Sequence, residues 1–359
     1  MTFFRGSSKI FYMENLVFYP EKLPFYSSFL IFLEHTFFLL HILLINLILG
    51  WSMFFAYQQL KEDFLPETAR LFLKKKPILF ALAINMAIPA LLFLQVVYGP
   101  LFFTSSIILA TYWMLIIPSV ILVYYLSYLI SKKSSSQKPF KPFIFIQAFI
   151  LLYIVFILIS NLTLLENPEK WHVYFANRKG TYLPLDIPYL YFKYLHFLVG
   201  SLAVSGLSLG ILGHYKNDKM CLIKGLNLFF YLTLLQIGVG IAFLLSLPSE
   251  IRGLFLGNDP KVAFFFYLSI VCVIGSLYFS KKHHLKLTTS FFILTLIFMV
   301  VNRFNLRALQ LSSYYQTELL QVSPQMDVFL VFLLFLGLGI VTVYYFLKNS
   351  FSKQGERKV

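Results

Sequence analysis

Apolar runs of about twenty residues, separated by short charged or proline-containing breaks, recur along the whole chain. Each is long enough to cross roughly 30 Å of hydrocarbon as a helix. Nine such runs are found, at 28–56, 77–98, 103–131, 142–165, 187–213, 222–247, 262–280, 285–302 and 327–347. The second and third come from one uncharged stretch between Lys76 and Lys132, which is too long for a single helix. Gly99-Pro100 is its natural break, because proline has no N–H to give a helix. Lys281-Lys282-His283-His284 supplies the turn between the seventh and eighth. The pattern predicts an all-α polytopic transmembrane helix bundle over 27–348, with a surface segment at 1–26 and a basic tail at 349–359. Phe3, Phe4, Ile10, Phe11 and Tyr12 predict an interfacial helix within the first segment. Pro20, Glu21, Lys22 and Pro24 ahead of the first apolar run do not fit a cleaved secretory signal.

Composition sharpens this. Of the 359 residues, 59% are hydrophobic and 13% charged, about half the usual charge for a soluble domain. A water-soluble fold and a disordered chain are both excluded. The net charge of +15 would suggest nucleic acid in a soluble protein. Placed on nine spans, however, 19 of the 30 Lys and Arg residues fall in the loops of one side and in the tail. That bias predicts an outer N-terminus and a cytoplasmic C-terminus, with membrane lipid rather than nucleic acid as the bulk partner.

Ionisable residues at membrane depth are costly and therefore carry the functional expectation. The first span holds Glu34, His35 and His41. Lys193 opens the fifth, which contains His196. The eighth ends in Met299, Asn302 and Arg303, with Arg307 one turn further. The topology places Glu34, His35, His196, Met299, Asn302 and the two arginines in one outer layer, with His41 nearer the middle. Imidazole and thioether ligate haem iron, so His35, His196, His41 and Met299 are the candidate metal ligands. Lys193, Arg303 and Arg307 suit haem propionates or a quinone head group, and Glu34 suits a quinol proton. His35 and His41 point in different directions, being six residues apart on a helix. Cys221 and Cys272 are isolated and lie in no C-x-x-C-H string, which excludes covalent c-type haem, iron–sulfur clusters and thiolate zinc.

Leu33-Glu34-His35-Thr36-Phe37 with His41 and Gly50, followed by Tyr194-Leu195-His196-Phe197-Leu198-Val199-Gly200-Ser201, resembles subunit I of cytochrome bd-type quinol oxidases. The resemblance implies nine spans with an outer N-terminus in a bacterial cytoplasmic membrane, and haems near the outer side. It implies His35 as the first-span ligand, with His41 as the alternative, and His196 as the fifth-span ligand. The chain departs from the family in several places. The quinol loop is reduced to 248–261, the third span has no carboxylate, and the seventh opens Val262-Ala263-Phe264-Phe265-Phe266 with no methionine. Val301-Asn302-Arg303-Phe304-Asn305-Leu306-Arg307 keeps arginine where the family also has a glutamate ligand. The expectation is a b-type cytochrome subunit with one or two b haems. It would take electrons from quinol near the outer face and pass them to a c-type cytochrome or other redox subunit. The competing expectations are a true bd-type oxidase subunit, a haem-free quinone-binding anchor and a transporter.

Overall fold

A computed structural model describes residues 17–19, 22–61, 67–133 and 141–356. The expected interfacial helix around Phe3–Tyr12 lies outside them. The described chain is helical, with a single parallel bridge between Leu23 and Val322 in place of any strand. Nine long helices follow one another: α1 Ser27–Lys61, α2 Glu67–Ile108, α3 Ala110–Lys133, α4 Lys141–Leu165 and α5 Pro188–Tyr215. α6 Lys219–Ser246, α7 Pro260–Lys281, α8 Leu285–Leu311 and α9 Met326–Glu356 complete the series. The first eight are long and apolar enough to cross a membrane, and α9 is apolar over Met326–Gly339. The fold is a polytopic helical bundle.

Two boundaries differ from the expected ones. α2 does not end at Gly99-Pro100 but bends at Tyr98 and continues to Ile108. Pro100 removes one backbone donor, which kinks a helix without stopping it when packing holds both arms. Here the second arm is held, since Leu101, Phe102 and Ile108 pack with Leu164, Trp171 and Tyr315. The chain reverses instead at Leu109, where Thr111 N donates to Gly180 O of the 177–187 loop at 2.9 Å. The second difference concerns Lys76. It is not a loop residue but a buried one within α2, 2% exposed.

Neighbouring helices are antiparallel, and side-chain contacts fix their register. His41 of α1 bonds Ala83 O of α2, and Ser52 of α1 meets Lys76. α5 runs parallel to α1, with Ser201 on Asn46 and Trp51 on Ser208. This contact needs Gly50: a Cβ there would fall 1.9 Å from Ser201 O. α5 and α6 pack just as closely, and a Cβ on Gly225 would lie 2.2 Å from Gly210 N. α7 and α8 form a hairpin in which Asn302 Nδ2 donates to Phe265 O and Ser269 Oγ, both at 3.3 Å. The residues before α1 are pinned to the α8–α9 connection. Leu23 N donates to Gln321 O at 2.8 Å, and Tyr19 stacks on Tyr315 with centroids 5.0 Å apart. The helix ends at Lys61, Lys132-Lys133, Lys219 and Lys281-Lys282 thus gather at one end, the basic end, and the Tyr98 bend of α2 and the helix ends at Leu165 and Leu311 at the other.

Candidate functional site

At the end opposite the basic one, α1, α4, α5 and α8 bring four charged groups together, three of them buried. Arg307 Nη1 donates to Glu34 Oε1 at 2.8 Å. Arg307 Nε lies 3.8 Å from Glu166 Oε1, and Lys193 Nζ donates to Glu166 Oε2 at 2.5 Å. Arg307 is 1% exposed, and Glu34 and Glu166 are each 3% exposed. Signs alternate along this ladder, so each charge is desolvated next to its opposite, the condition for tolerating buried ions. Arg307 also lies over Tyr98, its guanidinium carbon 5.2 Å from the ring centroid. Tyr189 extends the polar cluster, accepting from Gln310 Nε2 at 3.0 Å and bonded to Asn167.

Arg303 completes the layer and is different. Its guanidinium carbon sits 4.2 Å from the centroid of Phe38 and 5.7 Å from that of Phe304. Among the described residues no carboxylate comes within ion-pair distance of it. Lys193, Arg303 and Arg307 against Glu34 and Glu166 leave one positive charge in excess. Glu34 Oε2 is also buried without a hydrogen-bond partner.

The three membrane histidines face three different helices. His35 Nδ1 contacts Ile31 O at 2.5 Å, one turn back on its own helix. Its ring stacks on Phe304 of α8 with centroids 3.4 Å apart. His41 Nδ1 contacts Ala83 O of α2 at 2.9 Å. A carbonyl on Nδ1 orients an imidazole and leaves Nε2 free, the usual arrangement of a metal-ligating histidine. His196 lies against α6, where a Cβ on Gly240 would come within 3.2 Å of its Cε1, and its Nδ1 is buried without a partner.

Register redistributes their depths. The contacts of Asn46 with Ser201 and Trp51 with Ser208 put His196 level with His41, not with His35. α1 and α8 are antiparallel, Glu34 meeting Arg307 and Phe38 meeting Arg303, so Met299 falls level with residue 42. Met299 also continues the stripe of Arg307 and Arg303 at four-residue steps, one helical face. The expected single layer is thus two. Charged groups occupy the one farther from the basic end, and His41, His196 and Met299 lie roughly 5–12 Å closer to that end at 1.5 Å per residue. His35 lies level with the charged groups, its ring stacked on Phe304.

Two residues the sequence reading passed over are central. Glu166 was assigned to the loop after the fourth span, yet its N donates to Leu162 O at 3.0 Å, so it closes the last turn of α4. Its position directly after Leu164-Leu165 is the signal that could have found it. Lys76 was counted among orientation charges, although Phe72, Leu73, Phe80 and Ala83 place it on the buried face of α2. His172 is exposed outside the bundle, and Cys221 and Cys272 are both buried. Among the described residues, no three His, Cys, Asp or Glu side chains gather as a metal centre. No protein-family model matches the chain, and neither a curated protein nor a solved structure is similar to it beyond chance.

Proposed function

We propose that the protein is a b-type cytochrome subunit of a respiratory membrane complex, with nine spans, an outer N-terminus and a cytoplasmic C-terminus. The observation that carries this reading is the uncompensated positive charge beside an imidazole and thioether level. An anionic group is what such a layer lacks; Arg303 would hold a haem propionate there, and the imidazole and thioether level would offer ligands to its iron. His41 and His196 would hold the haem iron, with Met299 as a third candidate. They face separate helices, His41 on α2 and His196 on α6. Haem b, when bound, supplies one-electron transfer between a quinol and an acceptor at the outer face, a c-type cytochrome or another redox subunit.

The chain's own groups do the remaining work. Arg303 holds the anionic group over Phe38. Arg307 keeps Glu34 in place through Oε1, and Glu34 Oε2 is the atom that takes a quinol proton. Glu166 fixes Lys193 and Arg307, so neither is free to bind propionate. A second reading, a haem-free quinone-binding anchor, is favoured by the divergence of the three histidines. Spectra of purified protein separate the two. His196→Ala and His41→Ala each remove or shift a reduced-minus-oxidised b-haem band on the first reading. Unchanged bands in both variants overturn the ligand assignment, and a wild-type protein without a Soret band overturns the reading.

A further inference from the structure

Lys76 lies where α1, α2, α3 and α4 meet near the basic end and takes no part in the layers above. Its Nζ donates to Ser52 Oγ at 2.8 Å and to Gln147 Oε1. Gln147 Nε2 passes the chain on to Ser127 Oγ at 2.7 Å and Val123 O at 3.0 Å, and Ser52 Oγ donates to Ile48 O at 2.6 Å. Phe80, Val123 and Leu151 belong to one buried apolar cluster and Trp51, Phe55 and Phe72 to a second, in which the Trp51 and Phe72 rings stack with centroids 4.8 Å apart.

Among the described residues no carboxylate is within ion-pair distance of Lys76. What faces it from α1, α3 and α4 is Ser52, Ser127 and Gln147, none of which titrates. The charged groups nearest in sequence on α2 and α3 are Lys74, Lys75, Lys132 and Lys133, all cationic. An ammonium brings three donors and a charge, whereas a free amine brings two donors. Two acceptors and no counter-charge are present, which suits the amine.

We propose that Lys76 is a proton-accepting site, held as a free amine while the four helices are closed and charged only when the Trp51–Phe72 contact opens. Its ligand is the proton, taken from water at the basic end. One proton taken up on opening raises the open population up to about tenfold per pH unit of acidification. This inference stands independently of the haem reading.

Backbone hydrogen exchange of the full chain in lipid nanodiscs, followed over residues 48–56 and 71–80 and corrected for intrinsic rates, tests it. Wild-type protection falls with acidification with a slope approaching one proton. Lys76→Gln keeps two N–H donors without a titrating group and gives a flat profile. Lys76→Arg, always charged, is poorly protected at every pH. A flat wild-type profile overturns the proposal, as does a Lys76→Gln or Lys76→Met protein that keeps the wild-type slope. The wild-type titration decides even where a variant does not fold.

Discussion

Glu34, Arg307, Glu166 and Lys193 bring four charges into one end of the bundle and set them against each other. Lys76, near the other end, meets only a hydroxyl and an amide. Both regions are dry, yet they admit ionisable groups on different terms. The ladder tolerates full charges because each of its four members has its opposite within reach. The Lys76 site has donors and acceptors that match and no charge to match. Removing one group from the ladder therefore strands a partner's charge, whereas replacing Lys76 strands only a polar atom.

Arg307→Ala should give the largest effect. It leaves Glu34 buried without its cation and costs about 3–5 kcal/mol. Thermal or chemical unfolding in detergent measures it. Replacing both Glu34 and Arg307 by Met should recover most of that loss, because the stranded charge disappears with its partner. A double variant no more stable than Arg307→Ala would show that the pair is not the unit. Lys76→Met should cost only about 1–2 kcal/mol, the desolvation of the Gln147 oxygen it orphans. A loss as large as that of Arg307→Ala would erase the contrast between the two ends.

The smallest effect belongs to a third, wet pair. Lys170 Nζ donates to Asp186 Oδ2 at 2.5 Å and Tyr182 donates to Oδ1 at 2.6 Å, in a half-exposed loop. Partial burial raises the Asp186 pKa, and the bonds from Lys170 and Tyr182 outweigh it, leaving the carboxyl below its usual value. A depressed carboxyl stabilises above its unfolded pKa, about 3.9, and that contribution disappears as pH falls through the folded value. Asp186→Asn should therefore matter little at neutral pH, about 0.5 kcal/mol or less for an exposed pair, and not at all once the carboxyl is protonated. Stability curves from acid to neutral pH compare the two proteins.

The helices themselves were readable because hydropathy over twenty residues depends on no neighbour. All but the third of the apolar runs fall essentially within one helix each; the third, 103–131, is divided between α2 and α3 at Leu109, because tertiary contacts override the local break at Pro100. Depth was readable only coarsely. Counting from span ends grouped His196 with His35, but helix register is set by interhelical contacts such as Gly50 against Ser201, which no single run encodes. Partners were the least accessible. Nothing in the sequence ties Glu166 to Lys193 across 27 positions, nor Glu34 to Arg307 across 273. Lys76 was partly legible, since its spacing from Phe72, Leu73, Phe80 and Ala83 follows the buried face of a helix.

The most direct test of a positive layer built around an acidic redox group is a pyridine haemochrome assay on the purified wild-type chain. The account predicts one or two b haems per chain and a reduced Soret band that shifts in Arg303→Ala. Protein that is folded, binds no haem and shows no Soret band would contradict it.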